Sequence, residues 1–241
     1  MTVLGFWITI LAFVTSLAAT LNYYRNAAHR RYILYPARAW LKASVASIFT
    51  ASILLLLLLI RHDFSNGYVY SYSDKSLPLY YLISSFYAGQ EGSFMFWALC
   101  SSLIALWLSA FAAKRKSEPF VMGVFMAVQS LLILLLIAKS PFKDVWEMFP
   151  NFPAQQIPAD GRGLNPLLQN FWMVIHPPVL FVGFAAMAVP FSFAIAGLWK
   201  KDFSGWVGQA FPWVLFASCS LGMGLMLGAY WAYGVLGWGG Y

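Results

Sequence analysis

Three histidines occur in the chain, and one of them stands where a side chain can do chemistry rather than meet water. His176 lies in Phe171-Trp-Met-Val-Ile-His-Pro-Pro178, an apolar run closed by two prolines. A neutral imidazole offers one ring nitrogen to a metal ion while the other needs a hydrogen-bond partner. A histidine satisfied inside the packing is the alternative, and the residues alone weigh the two equally. His29, among basic residues, and His62, between Arg61 and Asp63, read as solvated or headgroup-facing groups. A second concentration of chemistry is the run Trp231-Ala-Tyr-Gly-Val-Leu-Gly237-Trp238-Gly239-Gly240-Tyr241. Glycines let backbone come close to a flat ligand, and indoles offer broad faces to stack on it. A large planar cofactor is one reading; an aromatic belt at a membrane surface is the other.

The elements that must position these residues are membrane spans. Hydrophobic residues make up 61% of the 241 and charged residues 10%, with mean hydropathy +0.70. That is too little charge to cover a soluble globule. Six apolar stretches are long enough to cross a hydrocarbon core of about 30 Å as helices: 4–22, 40–60, 92–112, 119–138, 171–198 and 207–230. The expected fold is therefore an all-α, polytopic transmembrane helix bundle forming one membrane domain over 1–241. Connections after the first, third and fifth spans carry Arg25, Arg30, Arg31, Arg38, Lys42, Lys114, Arg115, Lys116, Lys200 and Lys201 against Glu118 and Asp202. The longer connections, 61–91 and 139–170, are close to neutral. Basic connections stay in the cytoplasm, so both termini and the two long loops are expected outside. His176 and the terminal aromatic run then share the outer face. The net charge of +7 is explained by this loop asymmetry, so membrane lipid and not nucleic acid is the expected partner. The first span has no basic residue before it and reads as an uncleaved helix rather than a signal peptide.

Local patterns add detail. Tyr68, Tyr70 and Tyr72 alternate as on one face of an extended segment, and 79–88 reads as a short amphipathic helix in the outer interface. Pro177 and Pro178 are expected to fix the start of the fifth span near His176, and Pro190 to kink it. Gly224-x-x-x-Gly228 suits close helix contact within one bundle. Cys100 and Cys219 form no C-x-x-C pair and read as buried thiols. The spans carry no charged residue at their centres, which argues against an ion pump or proton-coupled transporter. No P-loop, paired metal-ligand spacing or nucleophile motif is present.

The run Pro141-Phe142 … Pro150-Asn-Phe-Pro153 … Pro158-Ala-Asp160-Gly161-Arg162-Gly-Leu164-Asn165-Pro166-Leu-Leu-Gln169 … Ile175-His176-Pro177-Pro178 resembles the CcmF-type haem lyase family of cytochrome c maturation. Leu77-Pro-Leu-Tyr-Tyr81 with Gln90-Glu91-Gly92-Ser93, and Trp231-Ala-Tyr … Leu236-Gly-Trp238-Gly-Gly240, carry the same likeness. The resemblance implies attachment of haem b to an apocytochrome c at the outer face of the bacterial inner membrane. It maps His176 onto a histidine that ligates the haem iron, and Trp231, Trp238, Gly239 and Gly240 onto part of a flat platform beneath the porphyrin. It also implies a haem-delivering chaperone and other cytochrome c maturation subunits as partners. A haem-presenting subunit that leaves ligation to another chain is the alternative. Members of that family continue beyond the tryptophan-rich motif, so the sequence is expected to be its N-terminal part. Arg162 is a candidate for a haem propionate, against pairing with Asp160 or plain solvation; Glu91 reads as an interfacial group.

Overall fold

Backbone amides and carbonyls in a hydrocarbon layer have no water to bond, so long apolar runs must satisfy them internally, as helices. The computed structural model of the chain describes residues 1–29, 33–153 and 156–238. It shows nine α-helices among the described residues: α1 Thr2–Ala28, α2 Tyr35–Ile60, α3 Gly67–Tyr72, α4 Leu79–Ser84, α5 Gln90–Ala113, α6 Glu118–Ala138, α7 Val145–Met148, α8 Phe171–Lys200 and α9 Gly205–Leu236. Six of these, α1, α2, α5, α6, α8 and α9, are long and apolar enough to cross a membrane. The chain is a multi-pass, all-α membrane protein.

Each span outruns its apolar stretch, because a helix ends where a cap stops it rather than where hydrophobicity fades. Pro36 lies in the first turn of α2 and Pro119 in that of α6, where a missing amide costs least. Arg38, expected in a connection, is therefore helical. Three further expectations are corrected. Gly67–Tyr72 is a helical turn and not an extended segment: Asn66 caps it by accepting from the Val69 amide at 3.0 Å. Residues 68 and 72 are also i and i+4, so the same spacing stacks Tyr68 on Tyr72, centroids 4.7 Å apart. Likewise, α8 begins at Phe171 and not near His176, since Asn170 caps it by accepting from the Trp172 amide. Cys219, expected to be buried, is exposed on α9, while Cys100 is buried.

At one end of the bundle four helices meet on one carboxylate. Glu118, fully buried, accepts from Arg38 through Nε at 2.8 Å and through Nη2, from Tyr23 Oη at 3.1 Å and from Ser109 Oγ at 3.0 Å. This gathers the end of α1, the start of α2, the end of α5 and the start of α6. Ser117 reaches Gln209 at 3.1 Å and adds the start of α9. Mid-bundle, Ser16 meets Ser130 at 3.0 Å and Gln129 donates to the Ala98 carbonyl at 3.1 Å and to Ser102. At the opposite end the two long loops interlock: Asn66 Nδ2 donates to the Pro141 carbonyl at 3.0 Å, and the amides of Gly67 and Val145 bond across to Lys143 and Ser65. Phe142 fills the space over Gly5 of α1. α9 packs chiefly on α8, and most of its surface stays open.

The clamp is asymmetric, since the Arg38 side chain is 46% exposed and that of Glu118 is 0%. Arg38→Met leaves a buried carboxylate short of its cation and is expected to lose about 3 kcal/mol. Glu118→Gln lets Arg38 return to water and is expected to lose about 1 kcal/mol. Thermal unfolding of the two variants in detergent checks the order; the reverse order would show that Arg38 is not the charge compensating Glu118.

Candidate functional site

The site is built where the first turns of α8 meet the second half of α9. Because α8 starts five residues before it, His176 stands in the second turn and its ring is aimed across at the neighbouring helix. There Nδ1 lies 2.7 Å from the carbonyl oxygen of Gly224. A carbonyl oxygen only accepts, so in neutral His176 the proton sits on Nδ1 and Nε2 keeps its lone pair. The partner that could not be found in the sequence is thus a backbone carbonyl, and among the described residues Nε2 makes no hydrogen bond.

Glycine makes this approach possible. A β-carbon at Gly228 would stand 2.5 Å from Cε1 of His176 and 2.8 Å from Nδ1, and one at Gly224 would strike Leu180 at 2.9 Å. The Gly224-x-x-x-Gly228 spacing is therefore used within the chain, as a seam against α8. Trp231 follows three residues after Gly228, so Gly224, Gly228 and Trp231 share one face of α9. Its indole Nε1 donates to the Leu167 carbonyl at 3.2 Å, in the 3-10 turn Pro166–Leu168. Trp172 of α8 meets Tyr230 of α9 edge-on, centroids 4.7 Å apart. The start of α8, the end of α9 and the loop between α7 and α8 are thereby tied together around the imidazole.

Helix α9 stops at Gly237, whose φ of 67° is left-handed, a conformation glycine adopts at no steric cost. The Trp238 amide turns back to the Ala232 carbonyl at 3.1 Å, and the Trp238 side chain is 78% exposed. Of the expected platform, then, Trp231 is drawn into the site while Trp238 stands past the helix end and open. Gly239 and Gly240 lie outside the described residues. One turn deeper than His176, α8 and α9 leave an apolar groove of about 410 Å³ lined by Pro178, Val179, Val182, Phe216, Cys219, Ser220 and Met223.

The prolines after His176 create a second requirement. Pro177 and Pro178 lie within α8 and have no amide proton to give to the carbonyls of Met173 and Val174. The Val174 carbonyl accepts instead from Tyr87 Oη at 2.6 Å. Burial pushes the Tyr87 phenol up to about 12, so it stays protonated and donating throughout the physiological range. The sequence signalled the orphaned carbonyl through Pro178, but not the donor.

The loop beside the site is held by backbone contacts. The Arg162 amide donates to the Tyr70 carbonyl at 2.7 Å, and its guanidinium lies over the Phe149 ring, 4.3 Å from the centroid. It does not pair with Asp160, whose carboxylate accepts from the amides of Lys75 and Gly161. Those two amides hold the Asp160 carboxyl below its usual range. Glu91 lies in the first turn of α5, where its charge suits the helix N-terminus.

Likeness to known proteins falls on these same residues. The family described as Cytochrome C assembly protein matches residues 87–241, from Tyr87 through the whole of the site. The chain belongs to the cytochrome c assembly protein family. Relatives include the cytochrome c-type biogenesis protein CcmF of Pseudomonas fluorescens, 39% identical over an alignment 187 residues long that covers 74% of this chain and 26% of that protein. CcmF of Haemophilus influenzae is 36% identical over an alignment 204 residues long that covers 81% of this chain and 30% of that one. Among solved structures, a cytochrome c haem lyase CcmF superposes with a TM-score of 0.79 at 27% identity, covering 100% of this chain and 37% of the other. The chain thus spans between a quarter and two fifths of the length of the cytochrome c assembly proteins it matches.

Two outcomes are expected of the seam. Nitrogen-15 NMR of labelled His176 should show Nδ1 protonated and Nε2 bare in the neutral form; the opposite tautomer would mean that the Gly224 bond is not made. Gly228→Val should displace the imidazole and cost about 1–3 kcal/mol, the range for overpacking a close contact, measured by thermal unfolding.

Proposed function

We propose that this chain is the N-terminal part of a membrane protein that holds haem and attaches it to apocytochrome c, with His176 as the residue that ligates the iron. One observation carries the reading: the Gly224 carbonyl fixes the neutral tautomer of His176 and leaves Nε2 available, in a family devoted to cytochrome c assembly. A second-sphere acceptor on the far ring nitrogen is what orients a metal-binding imidazole and raises its basicity. Trp231, on the same face of α9 as Gly224 and Gly228, offers an indole plane to the porphyrin. The haem is b-type, the form that still carries its vinyl groups.

Such a site works by positioning. Each thiol of an apocytochrome C-x-x-C-H segment adds across a haem vinyl: a C–S bond forms, the S–H bond breaks and the proton ends on the neighbouring vinyl carbon. No net oxidation occurs. The contribution of this chain is to hold the ring still and exclude water, not to supply a strong acid or base. The basic connections at the Glu118 end argue that this end faces the cytoplasm, which puts both termini and the His176 end on the periplasmic side of the bacterial inner membrane. An apocytochrome, a haem-delivering chaperone and other maturation subunits would meet the protein there.

Replacing His176 with Ala in the full-length protein is expected to lower holocytochrome formation by on the order of 100-fold, the scale set by losing alignment of a reacting group. Undiminished holocytochrome in that variant would overturn the assignment. Trp231→Ala should weaken haem retention roughly 10-fold, the worth of one aromatic stack, as measured by haem absorbance of the purified protein. If purified protein keeps haem yet supports no ligation in reconstitution, the chain presents haem and another subunit attaches it.

A further inference from the structure

The two prolines after His176 leave a fault in the helix that carries it, and the structure repairs that fault from outside. Within α8 the Val174 carbonyl would ordinarily accept the amide proton of residue 178, and Pro178 has none. In an apolar setting an unmet carbonyl is costly, and it invites water or a kink at that turn. Tyr87 supplies the missing proton at 2.6 Å. Its side chain is 6% exposed, and its ring sits against Phe96 of α5, centroids 5.2 Å apart. Tyr87 ends the 3-10 turn Ser85–Tyr87 that leads into α5, so the hydroxyl ties the α4–α5 corner to α8 two residues before His176.

We infer that Tyr87 is a positioning residue for the haem ligand: by standing in for the absent Pro178 amide, its hydroxyl holds the first turns of α8 where His176 can reach the Gly224 carbonyl. The inference rests on the proposed role of His176 and deepens it. Tyr87 touches neither the imidazole nor its carbonyl partner; it acts through the Val174 carbonyl alone.

The test uses the full-length protein loaded with haem, with Tyr87→Phe as the first variant. Phenylalanine keeps the ring packing and removes only the hydroxyl. The expected result is haem retention weakened about 10-fold, the scale of one buried hydrogen bond, together with a changed iron–histidine stretch in the resonance Raman spectrum. The second variant restores the donor from the other side: Pro178→Ala in the Tyr87→Phe background returns an amide to residue 178. It should bring back both haem retention and the spectrum. An unchanged spectrum in Tyr87→Phe overturns the inference, and so does a defect that Pro178→Ala does not repair. His176→Ala run in parallel separates the two claims. Loss of haem there with an unaffected Tyr87→Phe rejects the positioning role alone, whereas full haem retention in His176→Ala rejects the ligand assignment beneath it.

Discussion

A polar group buried in this bundle can find a partner only inside the protein, because the surroundings of the spans offer none. That constraint organises both ends of the molecule. At one end a single carboxylate, Glu118, is met by a guanidinium, a phenol and a serine hydroxyl from three other helices. At the other, a histidine meets a glycine carbonyl and a tyrosine meets a carbonyl that proline has orphaned. The same rule that locks the scaffold also orients the site. A side chain held by an obligatory bond is already in place before any ligand arrives, and in that sense the site is preorganised.

The two ends differ in how they are held. The Glu118 clamp and the clusters around α1, α2, α5 and α6 form a dense block. α8 and α9 lie against that block as a pair joined by a glycine seam, and most of α9 stays uncovered. The site belongs to the pair, while its alignment is imported from the block through Tyr87 and from the loop through Leu167 and Trp231. A rigid part thus steadies a more open one. For the haem binding proposed above, such a division would keep the binding groups on rigid elements and let the ring enter and leave without the scaffold opening.

Much of the fold was legible in the sequence. Apolar runs of membrane length placed all six spans, because a hydrophobic helix in a bilayer is dictated by local composition. The errors were local too. Tyr68, Tyr70 and Tyr72 satisfy a period of two and an i, i+4 pair at once, and only the Asn66 cap decides between them. Pro177 and Pro178 suit a helix start, but Asn170 supplies an earlier one. Its side chain accepts from the Trp172 amide, and α8 then runs on through both prolines.

The sequence by itself determined six apolar stretches of membrane length in this chain, set His176 apart by its apolar surroundings, and showed that the prolines and glycines near it carry positional meaning. Only the tertiary structure decided which nitrogen of His176 is free, which carbonyl Tyr87 serves, and that Trp231 is drawn into the site while Trp238 is not. Those bonds join residues 48, 87 and 64 positions apart. Their existence depends on the rotation of α8 against α9 and on where two loops come to rest. Neither is written in any local pattern, since helix phase at an interface is set by how small residues on both partners let the backbones close.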